Sequence, residues 1–151
     1  MARVNTGVDP IYLADQHLIA EQVELLMVTG MLKKNNFAHK TPIPPKFKLG
    51  TGHITFWYDK LLYLQRRMVE VKKEIARRNF KVMEREILLD GFPQKYINDW
   101  SPSLDDSIIV RNRIVEKMRA KPDGFWRYYS VPIKDQQNFE NRILDSDLFS
   151  V

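Results

Sequence analysis

The strongest constraint on the fold is an apolar stripe with helical spacing that begins at Ile54 and ends at Ile75. A helix with such a pattern must bury one face against other elements, because the period of 3.6 residues aligns those side chains. The stripe predicts one long helix over residues 54–79. Its core face is Ile54, Trp57, Leu61, Leu64, Met68, Val71 and Ile75, and its other faces carry Arg66, Arg67, Lys72, Lys73, Arg77 and Arg78.

An earlier helix is predicted to begin at Asp9 and Pro10, because an N-cap residue followed by proline is a typical helix start. Apolar residues then recur at helical spacing, and Gly30 is a candidate end or bend. The predicted core face of this helix is Ile11, Ala14, Leu18, Leu25, Val28 and Leu32.

A third helix is predicted from Ser103, which has capping-box spacing to Asp106, to about Ala120, before Pro122. Its expected core face is Leu104, Ile108, Val115 and Met118, and Arg111, Arg113, Lys117 and Arg119 occupy the rest.

The chain reads as an all-α protein, because no pair of alternating segments flanks a hairpin turn. Its 151 residues fit a single compact domain, with three main crossing helices and irregular loops between them. We predict a helical domain over residues 1–133 and an acidic C-terminal extension over residues 134–151. The extension is expected either to form an extra helix or to lie across the basic face.

The composition excludes several classes of function. The chain has no cysteine, which excludes thiol catalysis and favours a reducing, intracellular compartment. No apolar run approaches the roughly 20 residues of a membrane-spanning helix. The HExxH pattern is absent, so a metal at His17 and Glu21 is disfavoured, and no cofactor is expected.

The charge is unevenly distributed along the chain. The formal net charge is +5, but residues 131–151 contain only two basic residues against four acidic ones. The first 130 residues are therefore more basic than the whole, which favours a polyanionic partner such as a nucleic acid. A generic basic surface is the alternative reading.

Two features near the N-terminus could carry chemistry. Removal of Met1 is expected because Ala2 is small, and the new α-amine would have a pKa well below that of lysine, making it a better nucleophile near neutral pH. Glu24 shares a helix face with His17, seven residues before it, and with Glu21, three residues before it. A carboxylate there could stabilise an oxocarbenium-like sugar or move a proton, and a solvated polar stripe is the alternative.

The run Phe125-Trp126-Arg127-Tyr128-Tyr129 combines aromatic and basic side chains. Aromatic rings stack on bases and basic groups hold phosphates, so the run is a candidate nucleic-acid contact. Packing of this segment onto the helices is the alternative, and it fits Phe125 and Trp126 better than the tyrosines.

Four blocks of the sequence stand out together: Arg3-Val4-Asn5; Ala14-Asp15-Gln16-His17-Leu18 with Ala20-Glu21 and Glu24-Leu25; Gly50-Thr51-Gly52-His53-Ile54-Thr55-Phe56-Trp57-Tyr58-Asp59-Lys60-Leu61; and Trp126-Arg127-Tyr128-Tyr129. They resemble the phage pyrimidine-dimer DNA glycosylase/AP lyase family of the endonuclease V type. Their order and spacing cover about residues 1–130. The second and third blocks are far more specific than a single short motif.

The resemblance implies a mechanism and a set of site residues. The Ala2 amine would attack the sugar C1′ at a lesion in duplex DNA, and Glu24 would assist base loss and elimination. Arg3, Arg113 and Lys117 match residues that grip phosphates of a kinked duplex, and Gln16 and His17 match residues that line the site. Trp126, Tyr128 and Tyr129 would also contact DNA. We expect the protein to act as a monomer and without a cofactor.

The sequence departs from the family at two positions beside Glu24. The family has arginines one residue before and three after the matched glutamate, and this chain has Val23 and Met27. Two alternatives therefore stay open beside the glycosylase/AP lyase. The chain could bind or cut a different nucleic acid, such as RNA or modified DNA, or it could serve in protein interaction.

Overall fold

The structure, a computed structural model, describes residues 4–151 of the chain. Predictions that fall on Met1, Ala2 and Arg3 lie outside these residues. The described elements are a 3₁₀ turn at Pro10–Tyr12, helices α1 (Asp15–Lys34), α2 (His53–Phe56), α3 (Leu61–Arg77) and α4 (Leu104–Arg119), strands β1 (Arg127–Tyr128) and β2 (Val131–Pro132), and helix α5 (Gln136–Asp145). Two more 3₁₀ turns lie at Trp57–Asp59 and Gln94–Tyr96. The all-α prediction is confirmed.

The core forms where α1 and α3 pack against each other. From α1 it takes Leu18, Leu25, Val28 and Leu32, and from α3 it takes Leu61, Leu64, Met68, Val71 and Ile75. These are the stripes that the sequence predicts, and burying each such side chain stabilises the fold by about 1.5–3 kcal/mol. In residues 4–151, no helix combines the length and apolar character that crossing a membrane requires.

The predicted start of the first helix is wrong. Asp9 does cap a turn, since its carboxylate accepts from Ile11 N at 3.1 Å, but the turn is a 3₁₀ helix that ends at Tyr12. Leu13 and Ala14 are extended, and α1 begins at Asp15. The break persists because Arg78 donates to the carbonyls of this stretch. Gly30 does not end the helix, which continues to Lys34, and a bend at Gly30 stays a prediction.

The second predicted helix is broken at Lys60, whose φ of −132° and ψ of 37° are not helical. The break lets the Trp57 ring stack on Tyr63 at 5.5 Å between centroids and meet Trp100 edge-on at 5.2 Å. Arg67 and Arg78 are buried, although the pattern places them on outer faces. Aromatic packing and internal ion pairs outweigh the simple helical pattern here.

The bounds of α4 agree with the prediction, and the Ser103–Asp106 capping box is present with both of its hydrogen bonds. The face of the helix is partly wrong. Leu104 and Ile108 are 54% and 43% exposed, while Val115 and Met118 are buried as expected. The buried face also contains Ser107, Val110, Arg111 and Ile114, because polar groups of this face bond to backbone carbonyls of the chain's two end segments.

A short antiparallel hairpin contradicts the expectation that none forms. In it Arg127 pairs with Pro132 and Tyr128 with Val131. The turn residues Tyr129 and Ser130 have positive φ angles of 52° and 68°, which neither residue type favours. Their backbone N–H groups both donate to the Asp15 carboxylate, at 3.0 and 2.7 Å, so a tertiary contact stabilises this turn.

The C-terminal segment, residues 136–151, packs against the rest of the chain. Helix α5 buries Phe139 and Ile143, and its Glu140 accepts from Arg119 on α4 at 3.0 Å. Phe149 then pairs with Gly7 in an isolated antiparallel bridge. Of the two forms expected for the extension, the structure contains the helix. The division of the chain at residue 133 stays a prediction.

Candidate active site

Helix α1 directs two glutamates into the interior of the protein. Glu21 is fully buried and accepts two hydrogen bonds from Arg67, at 2.7 and 3.0 Å. Glu24 lies one helical turn further on and is 3% exposed. The reading of this face as a solvated stripe is therefore wrong for both residues.

The N-terminal segment, residues 4–8, is tied to the same face of α1. Asn5 Nδ2 donates to Glu21 Oε1 at 3.0 Å, so Glu21 joins the segment to Arg67. Two charges buried together are tolerated only with good geometry and satisfied hydrogen bonds, and this pair has both. Glu21 is thus a structural anchor of the segment that follows Ala2 and Arg3 in the sequence.

A buried histidine from α2 holds the first described residue. His53 Nε2 accepts from Val4 N at 3.2 Å, while His53 Nδ1 lies 2.9 Å from Lys48 O. A carbonyl oxygen only accepts, so the proton resides on Nδ1 and the ring is neutral. Neither His53 nor Asn5 received a role from the sequence, although both lie in the blocks that carry the family resemblance.

A cleft of about 500 Å³ opens beside the start of α1. Gln16, His17 and Ala20 form one wall, and residues of α4 and the segment after it form the other: Lys117, Ala120, Lys121, Phe125 and Trp126. Gln16 links the walls, because its amide donates to Phe125 O at 2.6 Å and accepts from Arg127 N at 3.1 Å. The structure therefore brings Gln16, His17, Lys117 and Trp126 together, as a shared site requires.

His17 is a neutral base in this cleft. Burial, and secondly the Lys117 ammonium, lower the pKa of His17 to about 4. Its ring stacks on Trp126 at 4.4 Å between centroids, and its Nδ1 is buried without a hydrogen-bond partner among the described residues. A polar atom left in this way can accept a hydrogen bond from a bound ligand or water.

The predicted aromatic contacts divide into two places. Trp126 is buried, donates to Met118 O at 3.0 Å and forms a wall of the cleft. Tyr128 and Tyr129 instead lie over the Arg78 guanidinium, at 4.5 and 5.1 Å from their ring centroids. Tyr128 also donates to Ile11 O at 2.8 Å, so the tyrosines tie the hairpin to the start of α1.

The basic residues of α4 and of the turn after it, together with Phe125, are the remaining candidate DNA contacts. Lys117 and Arg113 lie four residues apart on α4, and Arg113 is 3.8 Å from Glu116. Phe125, part of the aromatic run that the sequence offered as a nucleic-acid contact, is 44% exposed at the cleft. Lys121 also lines the cleft, and the sequence did not point to it as a DNA contact. Lys121 continues the spacing of Arg113 and Lys117, a signal that could have identified it.

The outer face of α1 is apolar at the two positions beside Glu24 where the resemblance implies arginines. Val23 and Met27 are 47% and 43% exposed, and they line a shallow groove of about 320 Å³ with Met31 and Met83. Lys34 and Arg85 also line this groove. Within residues 4–151, no three side chains of the types that bind metals cluster closely enough to hold an ion.

A comparison with known protein families assigns the chain. The sequence model of the family described as pyrimidine dimer DNA glycosylase matches residues 1–87. The match is more than half of the chain and includes α1 with Glu24, the N-terminal segment and His53; α4, the hairpin and α5 lie beyond it. The chain therefore belongs to the pyrimidine dimer DNA glycosylases, a family of DNA repair enzymes whose substrate is DNA.

Proposed function

We propose that this protein is a glycosylase and AP lyase that acts on damaged or modified duplex DNA through the α-amine of Ala2 and the carboxylate of Glu24. One observation carries the proposal. The N-terminal segment is tied through Asn5 to Glu21, on the face of α1 that also buries Glu24, and through Val4 to His53 of α2. Two residues of chain span at most about 7 Å, and the proposal requires the Ala2 amine to reach Glu24 within that length.

The chemistry needs only these two groups and the substrate. The neutral amine attacks C1′, the bond from C1′ to the base breaks, and the base leaves with its electron pair and a proton. Loss of the amine protons with opening of the sugar ring then gives an imine. Removal of a C2′ proton expels the 3′ phosphate, and a buried carboxylate is suited to move that proton.

The cleft beside α1 supplies candidate contacts to the DNA. Lys117 and Lys121 provide cations for phosphates at one wall, and Gln16 and His17 offer hydrogen-bonding groups at the other. Arg113 lies one helical turn before Lys117 on α4 and is proposed to hold a further phosphate. Arg3 lies outside the described residues, and its contact with a phosphate is part of the proposal. Tyr128 and Tyr129 are proposed to extend the interface along the hairpin.

Borohydride trapping tests the proposal. The protein, with removal of Met1 verified by intact mass, is incubated with a duplex that contains an abasic site, and the imine is reduced. We expect a covalent adduct that peptide mapping places on Ala2. Absence of any adduct with protein that lacks Met1 would contradict the amine mechanism.

Glu24→Gln tests the second group. Loss of general acid–base assistance costs roughly 10²-fold or more, so strand cleavage should slow by about that factor. Glu86→Gln, at an exposed glutamate, is the matched control and should cleave like the wild type. Equal cleavage by both variants would remove Glu24 from the mechanism.

A second candidate function rests on the exposure of Val23 and Met27. With apolar side chains at these positions, the two residues that flank Glu24 offer no cation to a phosphate, and the cations of the groove are those of Lys34 and Arg85. A relative that binds an altered nucleic acid without cutting it would have such a surface. Salt-dependent binding without strand breaks, on abasic, modified and RNA substrates alike, would favour this function.

A further inference from the structure

The C-terminal segment contacts the N-terminal segment directly. The backbone N–H of Phe149 donates to the carbonyl of Gly7 at 3.2 Å. Gly7 lies in the N-terminal segment, between Asn5, which bonds to Glu21, and Val8. A residue near the far end of the sequence therefore holds the backbone that leads to the proposed nucleophile.

The same carbonyl is held from a second side. Ser107 Oγ on α4 donates to Gly7 O at 2.9 Å. Gly7 has a φ of +82°, and a Cβ added there would lie 2.5 Å from Ser107 Cβ, so only glycine allows this approach. The N-terminal segment is thus fixed between α4 and the C-terminal segment with no spare volume.

Buried arginines extend this network at both ends. Arg111 donates to Ser107 Oγ at 2.8 Å and to three carbonyls of the C-terminal segment, those of Leu144, Ser146 and Asp147. Arg67 donates to Val8 O at 2.7 Å and Val151 O at 2.9 Å, while its other nitrogens bond to Glu21. Hydrogen bonds therefore lead from residues 144–151 through residues 5–8 to the acidic face of α1.

We propose that the C-terminal segment is a positioning element for catalysis, which acts by fixing residues 5–8 and hence the amine that they carry toward Glu24. The inference rests on the proposed function, because it concerns the placement of the Ala2 amine. It assigns a role to a part of the chain that lies beyond the family match. No residue of the segment needs to touch DNA for this role.

Proline at position 149 removes the key donor together with the aromatic ring, whose centroid lies 6.0 Å from the Arg67 guanidinium. Phe149→Leu, which loses the ring and keeps the N–H, separates the two effects and should behave like the wild type. Phe149→Pro eliminates the N–H that bonds to Gly7. Ser150→Pro is the matched control, because the Ser150 N–H, which lies outside the helices and strands, donates to no backbone carbonyl of residues 4–151. Ser107→Ala removes the other donor to Gly7 and gives the same test if proline at position 149 prevents folding. Hydrogen exchange of the peptide covering residues 4–13 reports whether the segment is loosened.

Trapping on abasic-site duplex under single-turnover conditions then separates positioning from binding. For Phe149→Pro we expect faster exchange in residues 4–13 and a rate at saturating DNA reduced about tenfold, with the half-saturating DNA concentration unchanged. Ser150→Pro should match the wild type in hydrogen exchange, in the trapping rate at saturating DNA and in the half-saturating DNA concentration. A purely structural defect that lowered only the folded fraction would reduce the amplitude of trapping and leave its rate constant intact.

Three results would overturn the inference. The first is faster exchange in Phe149→Pro with an unchanged trapping rate. The second is an increase in the half-saturating DNA concentration alone, which would make the segment a DNA contact. The third is equal hydrogen exchange of residues 4–13 in Phe149→Pro and Ser150→Pro, which would show that the Phe149 N–H does not hold the N-terminal segment. Failure of the proposed function can be distinguished from failure of this inference, because in the first case the wild-type protein itself would form no adduct.

Discussion

At the scale of single residues, His17 makes folding sensitive to pH. Its pKa is lowered to about 4 in the folded protein, while an unfolded histidine has a pKa of about 6.5. Between these values the unfolded chain binds more protons than the folded chain. The stability that the neutral ring contributes is therefore present above pH 6.5 and is lost as the pH falls toward 4.

We predict that His17→Gln has a flatter stability profile across this range. The difference in unfolding free energy between wild type and variant should change by on the order of 1–3 kcal/mol between about pH 7 and pH 4, in favour of the variant at low pH. Urea unfolding at a series of pH values measures it. His39→Gln, in the loop after α1, serves as the control, and a difference for His17→Gln that is constant with pH would contradict the prediction.

The sequence identified Glu24, Gln16, His17 and Lys117 because spacing and family blocks carry that information. It could not identify the roles of Glu21, Arg67 or Arg111, because burial of a charge depends on a partner far away in the sequence. Arg67 is 46 positions from Glu21 in the sequence. Nothing in the sequence pattern of α3 distinguishes the buried Arg67 from its partly exposed neighbour Arg66. Internal ion pairs are tertiary facts, and only the folded structure reveals them.

At the scale of elements, the Ser103 cap should determine the stability of α4 at its start. Ser103 Oγ accepts from Asp106 N at 3.1 Å, and removing an N-cap side chain costs about 1 kcal/mol. Ser103→Ala should therefore lower the melting temperature by about 2–4 °C. Calorimetry measures the melting temperatures of both variants, and Ser101→Ala, two residues before the cap, is the control. Equal melting temperatures for Ser103→Ala and Ser101→Ala would show that the cap contributes nothing.

The elements themselves were predictable where local chemistry determines them. The capping box fixed the start of α4, and the apolar stripes located α1 and α3. The hairpin was not predictable, because its turn residues Tyr129 and Ser130 adopt positive φ only with Asp15 as acceptor. The break at Lys60 likewise follows from aromatic packing between segments that are distant in the sequence.

At the scale of the whole molecule, the interior retains more acidic than basic groups. Among the described residues the buried side chains include five acids, Asp15, Glu21, Glu24, Glu74 and Glu140, and three arginines, Arg67, Arg78 and Arg111. The basic excess of the chain therefore lies on its surface, where it can act on a polyanion. Burial of arginines removes positive charge from the surface, but more acidic than basic side chains are buried, so the surface is more basic than the net charge of the chain suggests.

The last prediction concerns the salt dependence of DNA binding. Each cation that neutralises a phosphate releases counterions, so the logarithm of the binding constant falls with the logarithm of salt concentration by about 0.9 per contact. Lys117, at the cleft, is proposed to make one such contact. Lys117→Gln should weaken binding of an uncleavable abasic-site duplex at low salt and reduce the slope by about 1. Arg113→Gln should do the same, four residues earlier on α4.

Fluorescence anisotropy at salt concentrations from about 50 to 200 mM measures these slopes. Lys95→Gln is the matched control, because its ammonium lies over the Tyr96 ring, 5.0 Å from the centroid, in the loop between α3 and α4. We expect its slope to equal that of the wild type. If the Lys117 and Arg113 variants kept the wild-type slope while Lys95→Gln reduced it, the phosphates would run along the other side of the molecule, and the cleft beside α1 would not be the DNA interface.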